Sequence, residues 1–121
     1  LPLAHEHNVG VMVRSVLLKG ALTERGDHLP EHLGVLRSLS RDFRHLVEHY
    51  APQLTPAQAA LAFALAHPQI HSALVGVRTA EELESNIAAA TATLAPELLR
   101  DLTGMRVEDE ALLNPGTWGI P

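Results

Sequence analysis

The stretch LVGVRTAEELESNIAAA, residues 74–90, concentrates the groups on this chain that could bind an anion. An apolar run stops at Gly76, Arg78 follows, and Thr79 with Glu82 has the spacing of a helix N-cap and its reciprocal carboxylate. A helix opening there directs orphan N–H groups and the positive end of its dipole at whatever lies before it. Arg78 adds a permanent charge whose planar fork matches phosphate oxygens. One turn on, Glu82, Ser85 and Asn86 share a side of the helix next to an apolar stripe of Leu83, Ile87 and Ala90. Such a helix start can receive an anion, but a solvated arginine capping a loop fits the same spacing, and Glu81 and Glu82 suit the dipole while repelling a phosphate.

Other chemistry is weaker. The chain has no cysteine, which removes disulfides, thiolate metal sites and thiol nucleophiles. Its eight histidines include His45 and His49 four apart on one helix, His28 and His32, and the His5-Glu6-His7 cluster. Zinc uses such pairs together with a carboxylate. His45 and His49, however, share their face with Arg41, Asp42 and Glu48, which is a solvated face, and no H-E-x-x-H run occurs. No metal site is expected.

The elements that must hold these residues alternate. GVMVRS, residues 10–15, reads as a short buried strand, and residues 16–33, with Gly20, Gly26 and Pro30, as a long loop. Leu36, Leu39, Phe43, Leu46, Val47 and Tyr50 recur at helical spacing until Pro52. Thr55, Pro56 and Gln58 open a second helix by a capping box, and its uncharged body, residues 57–66, calls for neighbours on more than one side. A second strand at residues 72–75 leads into the helix of residues 79–90, and Pro96 starts one more short helix. Strand, helices, strand, helix is the order of a parallel α/β protein, yet two strands are too few to form a buried parallel sheet. Either copies associate to complete the sheet through exposed strand edges, or the chain is the end of a larger domain. The absence of a starting methionine at Leu1 favours a processed or truncated product.

Bulk properties narrow the partners. A formal charge of −5 and a pI near 5.9 oppose broad attraction to nucleic acid or anionic membranes. A helix-turn-helix reading fails because an apolar strand and Gly76 separate the two helices and the second carries three glutamates, Glu81, Glu82 and Glu84. AALAFALA, ended by His67 and Pro68, falls short of a membrane span, and LPLAHEHNVG lacks the basic start and long apolar core of a signal peptide. A cytoplasmic protein is expected.

In their order and spacing, GVMVRSVLLKGALT, LTPAQAALAFALAHPQIHSALVGVRTAEELESNIAAA and LAPELLRDL resemble the aldo-keto reductases, over nearly the entire chain. The family's usual forms there are an apolar strand with S-P-L-x-x-G and L-T, then T-P-A-Q-x-A-L-A-W, I-x-G-x-x-x-x-x-Q-L-x-E-N and L-S-P-E-E-L. The resemblance implies the C-terminal portion, about the last three units, of a (β/α)8 TIM barrel, an incomplete domain over residues 1–121. It also implies an NADP-dependent oxidoreductase that interconverts a small carbonyl compound or sugar and its alcohol by hydride transfer. By that likeness the adenosine 2′-phosphate and adenine of NADP lie at Gly76, Arg78, Glu82, Ser85 and Asn86. Gly76 and Asn86 match the pattern directly, Ser85 stands for a usual glutamate, and Glu82 for glutamine or arginine. Ser15 and Leu17 match pyrophosphate-loop positions, Val16 replaces the usual proline, and Lys19 lies where lysine could reach the diphosphate. Arg14 takes the place of an aromatic ring beneath the nicotinamide, where a guanidinium can also stack. The implied catalytic aspartate, tyrosine, lysine and histidine come from the first four strands, so no catalytic residue is expected on this chain. The alternative is a non-catalytic cofactor-binding or interaction module that self-associates. In the tail, Trp118 is read as an anchor for the terminus rather than a substrate contact.

Overall fold

A computed structural model describes residues 1–120. Two strands, β1 (Met12–Val13) and β2 (Ser72–Ala73), pair in parallel with Met12 opposite Ser72 and Val13 opposite Ala73. The backbone bonds His71 N to Val11 O, 2.9 Å, and Leu74 N to Val13 O, 2.8 Å, continue the ladder beyond the formal strands. Val11 N donates to His71 Nδ1 at 3.0 Å, so a side chain satisfies the group at the strand's start. The expected strands are thus present and parallel, but shorter than residues 10–15 and 72–75.

The described residues also form six α-helices, α1 (Pro2–Glu6), α2 (Gly34–Tyr50), α3 (Pro56–Leu65), α4 (Ala80–Ala90), α5 (Pro96–Gly104) and α6 (Glu110–Leu113), of which α3 packs on β2. The α2 stripe forms as its periodicity requires, with Leu36, Phe43 and Val47 buried. Ser40 lies in the same buried stripe, fully enclosed and with no hydrogen-bond partner among the described residues. Thr55 and Gln58 close the capping box at α3, an arrangement worth about 1 kcal/mol for the cap alone. The chargeless body of α3 is covered by α2, α4 and β2, and Ala59 to Ala62 are buried. Alanines let α3 and α4 approach closely.

The main core joins Phe43 and Val47 of α2, the α3 alanines, and Leu94, Leu98 and Leu102 from the α5 region. A second cluster gathers Ala21, Leu29, Leu33 and Leu36 around Trp118, which is 2% exposed. Trp118 Nε1 donates to the Leu112 carbonyl at 3.2 Å, and His32 Nε2 to the Trp118 carbonyl at 2.9 Å. The tail is anchored by its tryptophan, as expected.

Two expectations need correction. Residues 16–33 are not an open loop but three 3-10 turns, Leu18–Gly20, Glu24–His28 and Glu31–Leu33. Asp27 pins the middle turn to α2 by accepting from Arg44 Nη1 and Nη2 at 3.0 and 2.8 Å and from Arg41 Nε at 2.9 Å. The Leu83 and Ile87 stripe of α4 does not enter a core. Those side chains are 48% and 61% exposed, while Ala89 is fully buried. The side of α4 turned toward the protein carries Glu82, Ser85, Asn86 and Ala89 instead. Met12 and Leu74, on the strand pair, are likewise 65% and 62% exposed. Among the described residues, nothing covers this apolar face.

Candidate functional site

Parallel strands send the segments that follow them to the same end of the sheet, and that end holds a cleft of about 730 Å³. One wall is the turn region after β1, with Leu17, Gly20, Thr23 and Arg25; the other is Gly76 and Arg78 with Glu82, Ser85 and Asn86 of α4. Six residues singled out from the sequence therefore converge: Leu17, Gly76, Arg78, Glu82, Ser85 and Asn86. Ser15 and Lys19 line an adjoining hollow of about 260 Å³, to which Leu17, Gly20 and Gly76 also belong. Arg14 is not in either. It borders a separate apolar cavity of about 420 Å³ between β1, α2 and α3, with Ser15 at the same edge.

The turn after β1 is conformationally costly. Ser15, Leu18 and Lys19 have φ of 60°, 47° and 56°, and a side-chain-bearing residue in this region costs about 1 kcal/mol or more. Such geometry persists only where the surroundings impose it. Leu18 packs on the Trp118 cluster, and Lys19 Nζ donates to the Ile120 carbonyl at 3.2 Å. Lys19 is accordingly committed to the tail rather than aimed into the cleft.

Arg25 is the cleft residue that the sequence reading passed over. Thr23 caps the turn that carries it, accepting from Arg25 N at 3.3 Å while donating to the Gly20 carbonyl at 2.7 Å. The stem of Arg25 crosses Gly20, whose φ of +84° suits glycine, and a β-carbon there would come within 3.1 Å of Arg25 Cδ. The available signal was the T-E-R-G turn pattern that begins three residues beyond Gly20. Only the folding back of the turn brings its arginine opposite Arg78.

At α4, Thr79 accepts from Glu82 N at 3.1 Å, as a cap should. The reciprocal half of the box does not form. Glu82 reaches one residue further, so that its Oε2 accepts from Arg78 N at 2.7 Å and its Oε1 from the Arg78 guanidinium at 3.4 Å. The Arg78 backbone N–H, followed by the charge of its side chain, holds the Glu82 carboxyl below its ordinary range. Gln58 Nε2 donates to the Ser85 carbonyl at 3.3 Å and ties α4 to α3 behind the site.

Elsewhere, Tyr50 lies half-buried against the main core and does not line the cleft, and the Asp101 carboxylate beside its hydroxyl pushes its pKa up. Among the described residues, no three His, Asp or Glu side chains converge as metal ligands, and no helix is long and apolar enough to cross a membrane.

Residues 1–106 match the aldo/keto reductase family. The chain belongs to this family. It is also 35% identical over 99 residues to an uncharacterized oxidoreductase, YqkF, of Bacillus subtilis strain 168, an alignment that covers 76% of this chain and 32% of that protein. The chain spans about a third of the length of this relative. Membership gives the cleft its context: family proteins are built on TIM barrels, whose sites lie at the C-terminal ends of the strands, the end at which Leu17 and Arg78 meet here.

Proposed function

We propose that this aldo/keto reductase chain is the cofactor-binding side of an oxidoreductase that transfers hydride between a nicotinamide dinucleotide and a small carbonyl compound or sugar in the cytoplasm. Residues 1–121 are then the C-terminal part of a (β/α)8 barrel, and Met12, Leu74, Leu83 and Ile87 are exposed apolar side chains that further barrel elements would cover. The observation that carries the reading is the cleft itself, with Arg25 on one wall and Arg78 on the other at the C-terminal end of a parallel strand pair.

The residues present suit a dinucleotide. The turn of residues 17–25 offers Leu17 and the backbone at Gly20 to a diphosphate, with Arg25 as its counter-charge, and the first turns of α4 offer Ser85 and Asn86 to an adenine edge. The bound cofactor would supply the hydride. On this chain Arg25 neutralises, Gly20 permits close approach, and Asn86 presents both a donor and an acceptor. The proton donor to the carbonyl is not assigned to any residue here. Whether NADP or NAD is preferred depends on the availability of Arg78, which is paired with Glu82.

Equilibrium titration of the polypeptide, as its source makes it, with NADPH and with NADH tests this reading, followed by dihydronicotinamide fluorescence. Binding of at least one is expected, and Arg25→Ala should weaken it about ten-fold, the usual effect of losing one charge-assisted hydrogen bond. Absence of binding by both, or an Arg25→Ala affinity equal to the parent's, would refute the reading.

A further inference from the structure

Resting on the cofactor reading above, we infer that the tail, residues 114–120, is a strap that holds one wall of the cleft in shape. Trp118 is then a positioning residue for nucleotide binding, although it lines neither the cleft nor the adjoining hollow.

The wall in question is the turn after β1. Ser15, Leu18 and Lys19 are left-handed there, and the turn is bent back on itself by Gly20 N donating to the Leu17 carbonyl at 2.8 Å and Ala21 N to the Leu18 carbonyl at 3.0 Å. Side-chain-bearing residues disfavour this backbone, so without outside support the turn relaxes. The tail supplies support at two points. Leu18 packs on the cluster around Trp118 together with Leu112 and Ile120, and Lys19 Nζ reaches the Ile120 carbonyl. Leu17 and Gly20 flank these two residues and line the cleft, so a hold on Leu18 and Lys19 fixes the wall beside them.

The tail is itself stiffened to bear on the turn. Thr117 Oγ1 lies 2.9 Å from the carbonyls of both Ala111 and Asn114, which share its proton, and Asn114 Oδ1 accepts from Gly116 N at 3.1 Å. These bonds close the 3-10 turn Pro115–Thr117, from which Trp118 enters its cluster with both its indole N–H and its carbonyl bonded. The neighbouring Glu24–His28 turn has a separate anchor in Asp27, held by Arg41 and Arg44. Release of the tail therefore frees residues 15–20 while the next turn stays on α2. The coupling is reciprocal: the tail raises the fraction of molecules whose wall is shaped for a ligand, and a ligand seated on Leu17 and Gly20 holds the tail in place.

Hydrogen exchange and nucleotide titration of the polypeptide, as its source makes it, test the inference. In Trp118→Ala the Gly20 and Ala21 amides should exchange about ten-fold faster while the α3 amides keep the parent's rate, the mark of local opening. Whichever of NADPH and NADH binds the parent should bind this variant about ten-fold more weakly, as expected when the wall is shaped for the ligand about a tenth of the time. Trp118→Phe should recover most of both effects. Unchanged exchange at Gly20 and Ala21 overturns the inference, and so does a faster turn with unchanged affinity. Where Trp118→Ala fails to fold or loosens α3 as well, Lys19→Met decides: losing one exposed hydrogen bond should speed exchange at Gly20 and Ala21 about two-fold, and a rate equal to the parent's overturns the inference. If neither nucleotide binds the parent, the cofactor reading falls and takes the positioning role of Trp118 with it, while exchange still decides whether the tail holds the turn.

Discussion

Replacing Gly26 with alanine should be among the most damaging single-methyl changes in this chain. Gly26 is buried where the Glu24–His28 turn meets the middle of α2, and a β-carbon there would overlap the Ser40 Oγ and the Ala21 carbonyl oxygen, with Ser40 Cβ only 2.9 Å away. The hydroxyl could rotate, but the carbonyl belongs to the backbone of the preceding turn and cannot. The turn must therefore lift from α2 by about an ångström, and since overpacking a fitted contact costs about 1–3 kcal/mol, the expected loss is near the upper end. Ser40→Ala alone should be neutral or stabilising by up to about 1 kcal/mol, because it removes a buried hydroxyl without a partner. Combining the two should recover only the serine share of the Gly26→Ala loss, about 1 kcal/mol of coupling. Urea unfolding of the four proteins measures these terms, and nucleotide titration reports whether lifting the turn also displaces Thr23 and Arg25 from the cleft. A Gly26→Ala protein within about 0.5 kcal/mol of the parent, the range of an ordinary surface change, would refute the packing argument.

Two further outcomes follow from the loop and the tail. Arg44 and then Arg41 hold the Asp27 carboxyl well below the usual range, so its stabilising contribution is complete above the unfolded carboxyl value of about 3.9 and fades as pH falls below it. Asp27→Asn should flatten the acid limb of a stability–pH profile recorded by circular dichroism, and a limb identical to the parent's would contradict this account. Trp118→Ala should cost about 3–5 kcal/mol by emptying the second cluster, whereas Trp118→Phe should cost less by retaining most of that packing. Urea midpoints decide between the two, and equal midpoints for both variants and the parent would show that the tail is not anchored through this ring.

Of the predictions about elements, those resting on local rules hold most closely. The α2 stripe and the Thr55–Gln58 box are properties of side chains three and four residues apart, so they were legible before any tertiary contact. Parallel pairing was legible too, since strand, helices and strand leave little alternative. The orientation of α4 was not. Its amphipathic pattern pointed Leu83 and Ile87 inward, but in the fold the side with Glu82, Ser85, Asn86 and Ala89 is turned toward the protein.

The candidate site divides along the same line. Residue types and spacing determined that Gly76, Arg78, Glu82, Ser85 and Asn86 share one helix start, and that Leu17 lies in the segment after the other strand. Only the tertiary structure brought these together at one end of the sheet, folded Arg25 back over Gly20, drew Lys19 to the tail and left Arg14 outside the cleft. It also decided that Glu82 bonds Arg78 instead of completing its own cap. The reason is physical: a capping pattern specifies which donors need a partner, whereas the choice among competing acceptors depends on distances that no linear spacing contains.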